Sequence, residues 1–272
     1  MTPMPVRRVK IAYGPNPDQF GHLYLPDRPL TEAPGTPLVV MIHGGSWSTE
    51  FSLTINTAVA RDLAGRGAVV WNIEYRRADP ATGAPAAGDA AAASSSVWPR
   101  CGNDVIAALE ALDGPVADAL ATAGIGVDRR EVAAVGHSAG GHLAVWAVAQ
   151  LGGRTARHRI GTVVPQSAVL DFTFPGVRDK PSVRRLLGAT YEAAPGRYAQ
   201  ASAAQAPVVD ALIALVHTGQ DESVPVELSR HYAQQAAGRG QRATLVEVPG
   251  DHAAFLDTGS PAYRATLRTL GL

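Results

Sequence analysis

The stretch that most constrains this chain is Val135-Gly136-His137-Ser138-Ala139-Gly140-Gly141. An apolar run of strand length, Glu131–Val135, precedes it, and Leu143, Ala147 and Leu151 recur after it at helical spacing, with Ala144 and Val148 alongside. Strand, G-x-S-x-G and helix in that order are what a nucleophile elbow requires. Glycines at 136 and 140 permit a turn so tight that side chains would collide there, and the turn lifts the Ser138 hydroxyl clear of a sheet. The following helix aims its first amides at that hydroxyl, where an anion would develop. A serine that merely caps a helix would use the same glycines, so the neighbouring segments must decide.

Strands and helices alternate along the chain. Val9, Ile11 and Tyr13 share one face of a run over 7–13, and turn residues 14–18 separate it from a second run at 21–25, which predicts an N-terminal antiparallel hairpin. Leu38–Ile42 is a continuous apolar run suited to a central parallel strand and leads directly into His43-Gly44-Gly45-Ser46-Trp47. Further strands are expected at 68–73, from 161 towards 170, at 212–216 and at 243–248. Helices are expected around Ile55–Leu63, around Val105–Leu112, at 227–237 and around Tyr263–Leu270. This pattern predicts a mostly parallel sheet covered by helices on both faces, in a single domain over 1–272. Residues 79–96, rich in Ala, Gly, Ser and Pro, read as a long mobile loop, and 172–207 as short helical pieces forming a small cap.

Composition excludes several function classes. The 24 basic and 24 acidic residues leave no basic footprint for nucleic acid and no polybasic membrane patch. Cys101 is the sole cysteine, so neither an intrachain disulfide nor a thiolate metal site is expected. No metal ligand set and no cofactor are implied. No apolar targeting segment or membrane-length run is visible, and a cytoplasmic location is the default.

Parallel sheets present their chemistry at the carboxyl ends of strands. Ser138, His43-Gly44-Gly45, Asp221 and His252 all fall at such ends. A serine hydroxyl needs a base to take its proton, and the imidazole of His252 is the candidate. His137 is expected to turn away at the tight turn, and His142 and His217 to be structural. The imidazole needs a carboxylate to fix its tautomer. Asp221 stands in a loop after a buried strand; Glu222 is its nearest competitor, Asp171 a reserve, and Asp251 is disfavoured because it adjoins the base. Amides around Gly44 and Gly45, with that of Ala139, would receive an oxyanion.

Taken together, H-G-G-x-W (His43–Trp47), G-H-S-A-G-G-H-L-A (Gly136–Ala144), D-x-x-V-P (Asp221–Pro225) and D-H (Asp251–His252) resemble the α/β-hydrolase superfamily of esterases and lipases, in the branch of kynurenine formamidases and small carboxylesterases. The resemblance covers nearly the whole chain. It implies an α/β-hydrolase fold, a Ser138–Asp221–His252 triad, an oxyanion hole at Gly44, Gly45 and Ala139, and substrate contacts from Trp47 and His43. The implied activity is hydrolysis of a small carboxylic ester through an acyl-enzyme. Aryl formamide hydrolysis is the runner-up, and an acyltransferase or an inactive binding protein of this fold is remoter. The implied partner is a small ester or amide, with oligomeric state open. Departures are Ser46 where related esterases carry a third glycine, Thr218 where glycine usually precedes the acid, the length of the 79–96 loop, and the lack of a large N-terminal cap.

Overall fold

The computed structural model describes residues 6–27, 35–83 and 97–272. Eight strands form one sheet: β1 (Arg7–Ala12), β2 (Phe20–Leu25), β3 (Leu38–Ile42), β4 (Val69–Ile73), β5 (Val132–His137), β6 (Ile160–Gln166), β7 (Leu212–Thr218) and β8 (Ala243–Val248), in the spatial order β1-β2-β4-β3-β5-β6-β7-β8. The expected hairpin is present: β1 pairs antiparallel with β2, and β2 antiparallel with β4. From β4 to β8 every pairing is parallel. The fold is that of the α/β-hydrolases.

Alternation along the central strands feeds two cores. In β3, Val39 and Met41 join one core together with Val59 and Leu63 of α1 (Thr57–Gly65) and Tyr263 and Leu267 of α8 (Pro261–Leu270). Val40 and Ile42 join the other, with Val105 and Leu109 of α2 (Arg100–Glu110) and Leu143 and Val148 of α4 (Ala139–Gln150). The α4 sequence is apolar all round, and every residue from Ala139 to Ala149 is buried, which suits a helix sandwiched between the sheet and other helices. A nine-residue helix not expected from the sequence, α3 (Pro115–Ala123), fully buries Val116 and Leu120, with Pro115 opening it and Gly124 closing it in the left-handed conformation. The 161–170 run is strand only as far as Gln166.

Within 172–207 lie two short helices, α5 (Pro181–Leu187) and α6 (Pro195–Ala201), both begun by proline. The second is fastened to α4, where His142 Nε2 donates to the Ala201 carbonyl (2.8 Å) and Trp146 Nε1 to that of Gln200 (3.1 Å). The remaining helix, α7 (Val226–Gly238), follows β7. Most of the 79–96 loop, residues 84–96, lies outside the described residues.

Candidate active site

Strand register brings the candidate residues to one level. Ile42 of β3 pairs with Gly136 of β5, so the His43–Trp47 loop leaves the sheet beside Ser138. On the far side, Thr218 of β7 pairs with Val248 of β8, and the chain beyond each reaches Asp221 and His252. Ser138 adopts φ +53°, ψ −117°, a region that side chains rarely occupy. Packing enforces that turn: a methyl at Gly140 would lie 2.7 Å from the Ile42 carbonyl carbon and closer still to the carbonyl oxygens of Ile42 and His43. The elbow and the loop after β3 therefore touch backbone to backbone. A methyl at Gly44 would similarly meet the His137 carbonyl at 2.9 Å and Ser138 Cβ at 3.3 Å.

Asp221 and His252 are joined by a 2.7 Å hydrogen bond, His252 Nδ1 donating to Asp221 Oδ2. Asp221 Oδ1 accepts from the amides of Ser223 (2.9 Å) and Val224 (2.8 Å), which fixes the carboxylate before the imidazole reaches it. Burial alone would raise the Asp221 pKa. The hydrogen bonds from His252 and from the Val224 amide outweigh it, with help from Ser167, and hold the carboxyl well below the usual range. His217 touches the same carboxylate only loosely, 3.8 Å from Oδ2, and its ring is engaged by Ser229 and the Val224 carbonyl. The competitors fall elsewhere. Asp171 caps its own turn by accepting from the Thr173 amide and hydroxyl, Asp251 accepts from the Ala253 amide, and Glu222 is exposed.

Ser138 and His252 open onto one cavity of about 440 Å³, whose wall also includes Gly45, Ser46, Trp47 and Ala139. Gly45 has φ +109°, and Ser46 and Trp47 follow at +54° and +55°. Among the described residues no hydrogen bond engages the amides of Gly45 and Ser46. Gly44 itself stands behind the wall, packed against His137 and Ser138. Trp47 is 2% exposed and packs edge-on against His142 and Phe172, so it is at once cavity wall and core. Lys180, Ser182 and Val183, at the start of α5, also line the cavity, and the Lys180 ammonium donates to the Ser223 carbonyl in the loop after β7.

Two expectations are corrected by the geometry. His43 does not face the cavity. It is fully buried, stacked on Tyr75 at 4.3 Å, with Nε2 against Glu74 Oε1 (2.7 Å) and Nδ1 against the Gly44 carbonyl (2.7 Å). Both ring nitrogens are thus spent on holding the loop after β3, and neither remains for substrate. His137 does not turn away from the site: it lines the same cavity and contacts His252.

Glu74 is the residue that sequence reasoning overlooked. At the carboxyl end of β4 it meets His43, accepts from the Leu53 amide (3.0 Å) and pairs with Arg77 (3.2 Å). Burial would raise its pKa, yet the hydrogen bond from His43 and the charge of Arg77 keep it lowered. Its position beside the β3 terminus was the available signal. No cluster of three or more metal-ligating side chains occurs among the described residues, and no helix there is long and apolar enough to cross a membrane.

A model of the BD-FAE family matches residues 22–235, more than half of the chain. The chain belongs to the BD-FAE family. Its match ends before β8 and the loop that carries His252. Solved structures with the same fold include a truncated carbohydrate esterase from gut microbiota (18% identity over 99% of this chain and 96% of that one, TM-score 0.76). Esterase B from Lactobacillus rhamnosis, solved with a tributyrin phosphonate inhibitor, is 19% identical over 100% and 87% of the two chains, with TM-score 0.74. A bacterial heroin esterase is 21% identical over 98% and 83%, with TM-score 0.68. No curated protein matches the chain.

Proposed function

We propose that this BD-FAE family member is a serine hydrolase that cleaves small carboxylic esters through an acyl-enzyme. The observation that carries the reading is that Ser138 and His252 share the wall of one cavity, with His252 hydrogen-bonded to Asp221 behind it. His252 Nε2 takes the Ser138 proton as the oxygen attacks the ester carbonyl. Asp221 accepts from Nδ1–H throughout, fixing the tautomer and stabilising the imidazolium. Charge developing on the carbonyl oxygen falls to the amides of Gly45 and Ala139, and Gly44 lets the loop approach the nucleophile closely. The imidazolium protonates the departing alcohol. Water, deprotonated by the same His252, then releases the acid and frees Ser138.

Two further features support small esters in particular. The cavity wall is mainly apolar side chains, with the few polar groups gathered near the serine and the cap. Esterases share the fold, one of them captured with a phosphonate built on a short-chain triglyceride.

The test is covalent labelling of the purified protein by a fluorophosphonate, with the adduct located by mass spectrometry, alongside turnover of p-nitrophenyl acetate, p-nitrophenyl butyrate and an aryl formamide. The expected adduct is on Ser138, and Ser138→Ala should lower ester turnover by at least about three orders of magnitude. An unlabelled protein, or an alanine variant that keeps near-normal turnover in a clean preparation, overturns the proposal. Turnover of the formamide well above the esters would move the activity to amides. Adding alcohol and amine acceptors and analysing products separates hydrolysis from acyl transfer.

A further inference from the structure

We infer that His137, the residue immediately before the nucleophile, is a positioning residue that fixes the His252 backbone relative to Ser138. This rests on the serine-hydrolase reading above and deepens it.

The base is carried on the loop between β8 and α8, and that loop is moored on one side by the acid loop. Gln220 donates its amide to the Gly250 carbonyl (3.0 Å) and accepts the Gly250 amide on Oε1 (2.6 Å), while Asp221 holds His252 Nδ1. All three ties lie towards β7. They leave the imidazole free to swing about the Asp221 hydrogen bond, and Nε2 would sweep past Ser138 as it did so. A further tie, from the strand that carries the nucleophile rather than from β7, comes from His137, whose Nε2 donates to the His252 carbonyl at 2.8 Å across 115 positions of sequence. Because residue 138 is the nucleophile, base and nucleophile are referenced to one short piece of strand. Errors in placing β8 are then absorbed elsewhere in the loop.

The ring contacts agree. The His137 and His252 centroids lie 4.6 Å apart at 44°, and Phe255 covers His137 from the same loop at 5.6 Å. The donor role requires the Nε2–H tautomer, which leaves Nδ1 bare; Nδ1 is buried without a hydrogen-bond partner, against the Cα of Gly44. The imidazole stays neutral. Burial, and then the neighbouring His252, push its pKa down to about 3, against weaker opposing contributions from the His252 carbonyl and Asp221. A ring that stays uncharged leaves the proton relay to His252 alone, while still packing on it.

The side-chain geometry of the amides makes the test specific. The nitrogen of a glutamine amide reaches about as far as imidazole Nε2, whereas that of asparagine reaches only to the Nδ1 position. His137→Gln, His137→Asn and His137→Leu are compared by kcat and KM, with each kcat divided by the sites titrated to completion with fluorophosphonate. His137→Asn and His137→Leu are expected to lose about tenfold in kcat per titrated site, the worth of one buried hydrogen bond, with KM changed less than about twofold. His137→Gln is expected to recover most of that loss. Per-site division removes any loss due to misfolding, and the Asn and Gln pair carries the comparison if the leucine variant does not accumulate. Equal per-site kcat for Asn, Gln and wild type overturns the positioning role while leaving the esterase reading intact. A loss in Gln as deep as in Asn overturns it too, because the donor would then be irrelevant. A wild-type protein that is neither labelled nor active overturns both proposals.

Discussion

Gly140→Ala tests whether the spacing between the elbow and the loop after β3 is fixed. The added methyl would sit 2.7 Å from the Ile42 carbonyl carbon, against an ordinary carbon–carbon contact of roughly 3.5–4.0 Å. The shortfall is about 1 Å, and the obstructing atoms are the backbone of β3 and His43, which no rotamer change can relieve. Overpacking of this kind costs about 1–3 kcal/mol when side chains adjust; a backbone obstacle places it at the upper end, about 3 kcal/mol. For a domain of this size, each kcal/mol lowers Tm by about 2–4 °C, so a fall of about 6–12 °C is expected. If α4 instead lifts away to keep the fold, Ser138 moves by a similar distance relative to Gly45, and a 1 Å misplacement of that sort costs about 100-fold in kcat. Scanning calorimetry and per-site kcat should therefore show one loss or both. Gly196→Ala, where nothing lies within 4 Å of the new methyl, serves as the control and should shift stability by less than about 1 kcal/mol. A Gly140→Ala protein with Tm within about 2 °C of wild type and undiminished kcat would refute the reasoning, because the contact would then be freely adjustable.

Asp221→Asn should leave the fold intact and lower kcat by about four orders of magnitude, because the amide favours the wrong imidazole tautomer. Asp251→Asn and Asp171→Asn, whose carboxylates accept from their own turns and, for Asp171, from the Ser202 hydroxyl, should stay within about tenfold in the same assay, and a reversed ranking would reassign the acid. Replacement of Trp47 by alanine should widen the acyl range, raising kcat/KM for p-nitrophenyl octanoate relative to acetate by about tenfold or more, while the wild type prefers short chains. A wild type whose kcat/KM climbs towards decanoate removes Trp47 as the limit. Stability should fall with acidification: burial holds the His137 and His142 pKa values down to about 3 and about 4, while the unfolded chain takes up those protons near 6.5. The contribution is complete above about pH 6.5 and is lost progressively towards pH 4, at up to about 1.4 kcal/mol per pH unit per histidine. Urea midpoints for wild type and His142→Gln at pH 7.5, 6 and 4.5 should diverge on that schedule, and parallel curves would show that His142 is not buried neutral.

Much of this arrangement was legible in the sequence because it is periodic. Leu38–Ile42 is uninterrupted apolar sequence and became a central strand with those bounds, and the tight Gly136–Gly140 turn could sit only between a strand and a helix. Asp221 and His252 were legible as polar residues just past apolar runs. What escaped was the detail that tertiary packing decides. α3 turns Val116, Ala119, Leu120 and Ala123 to the core, a stripe at helical spacing but half of it alanine and so weak as a signal, although Pro115 and Gly124 mark its ends. His137 escapes an argument from the tight turn, which implies that its side chain is reversed away from the site. Strand alternation gives the right answer: Val135 packs in the core shared with α8 and Phe255, and two residues on, His137 emerges on that same side, beneath the His252 loop. His43 looked like a substrate ligand from its motif, but a glycine-rich loop with positive-φ residues cannot hold itself. Glu74 and Tyr75, from the next strand, occupy its imidazole for that purpose.

The distribution of backbone strain separates the machinery from its support. Four non-glycine residues among those described have positive φ: Ser46, Trp47, Ser138 and Ser167. All four follow the carboxyl ends of adjacent parallel strands, β3, β5 and β6, and three of them line the cavity. Such conformations cost about 1–3 kcal/mol each, and persist only where surrounding contacts over-determine them. Here the contacts can be named. Glu74 and His43 hold the first loop, Gly140 lets the elbow lie directly on that loop, and the Ser167 hydroxyl meets Thr218 at 3.1 Å beside the acid. Three of the four residues that bear the strain face the cavity, while Ser167 and the residues that stabilise the strain, His43, Glu74 and Thr218, are buried behind it. Substitutions in that supporting set should consequently be felt first as lost stability, with activity failing only as the loop they hold gives way.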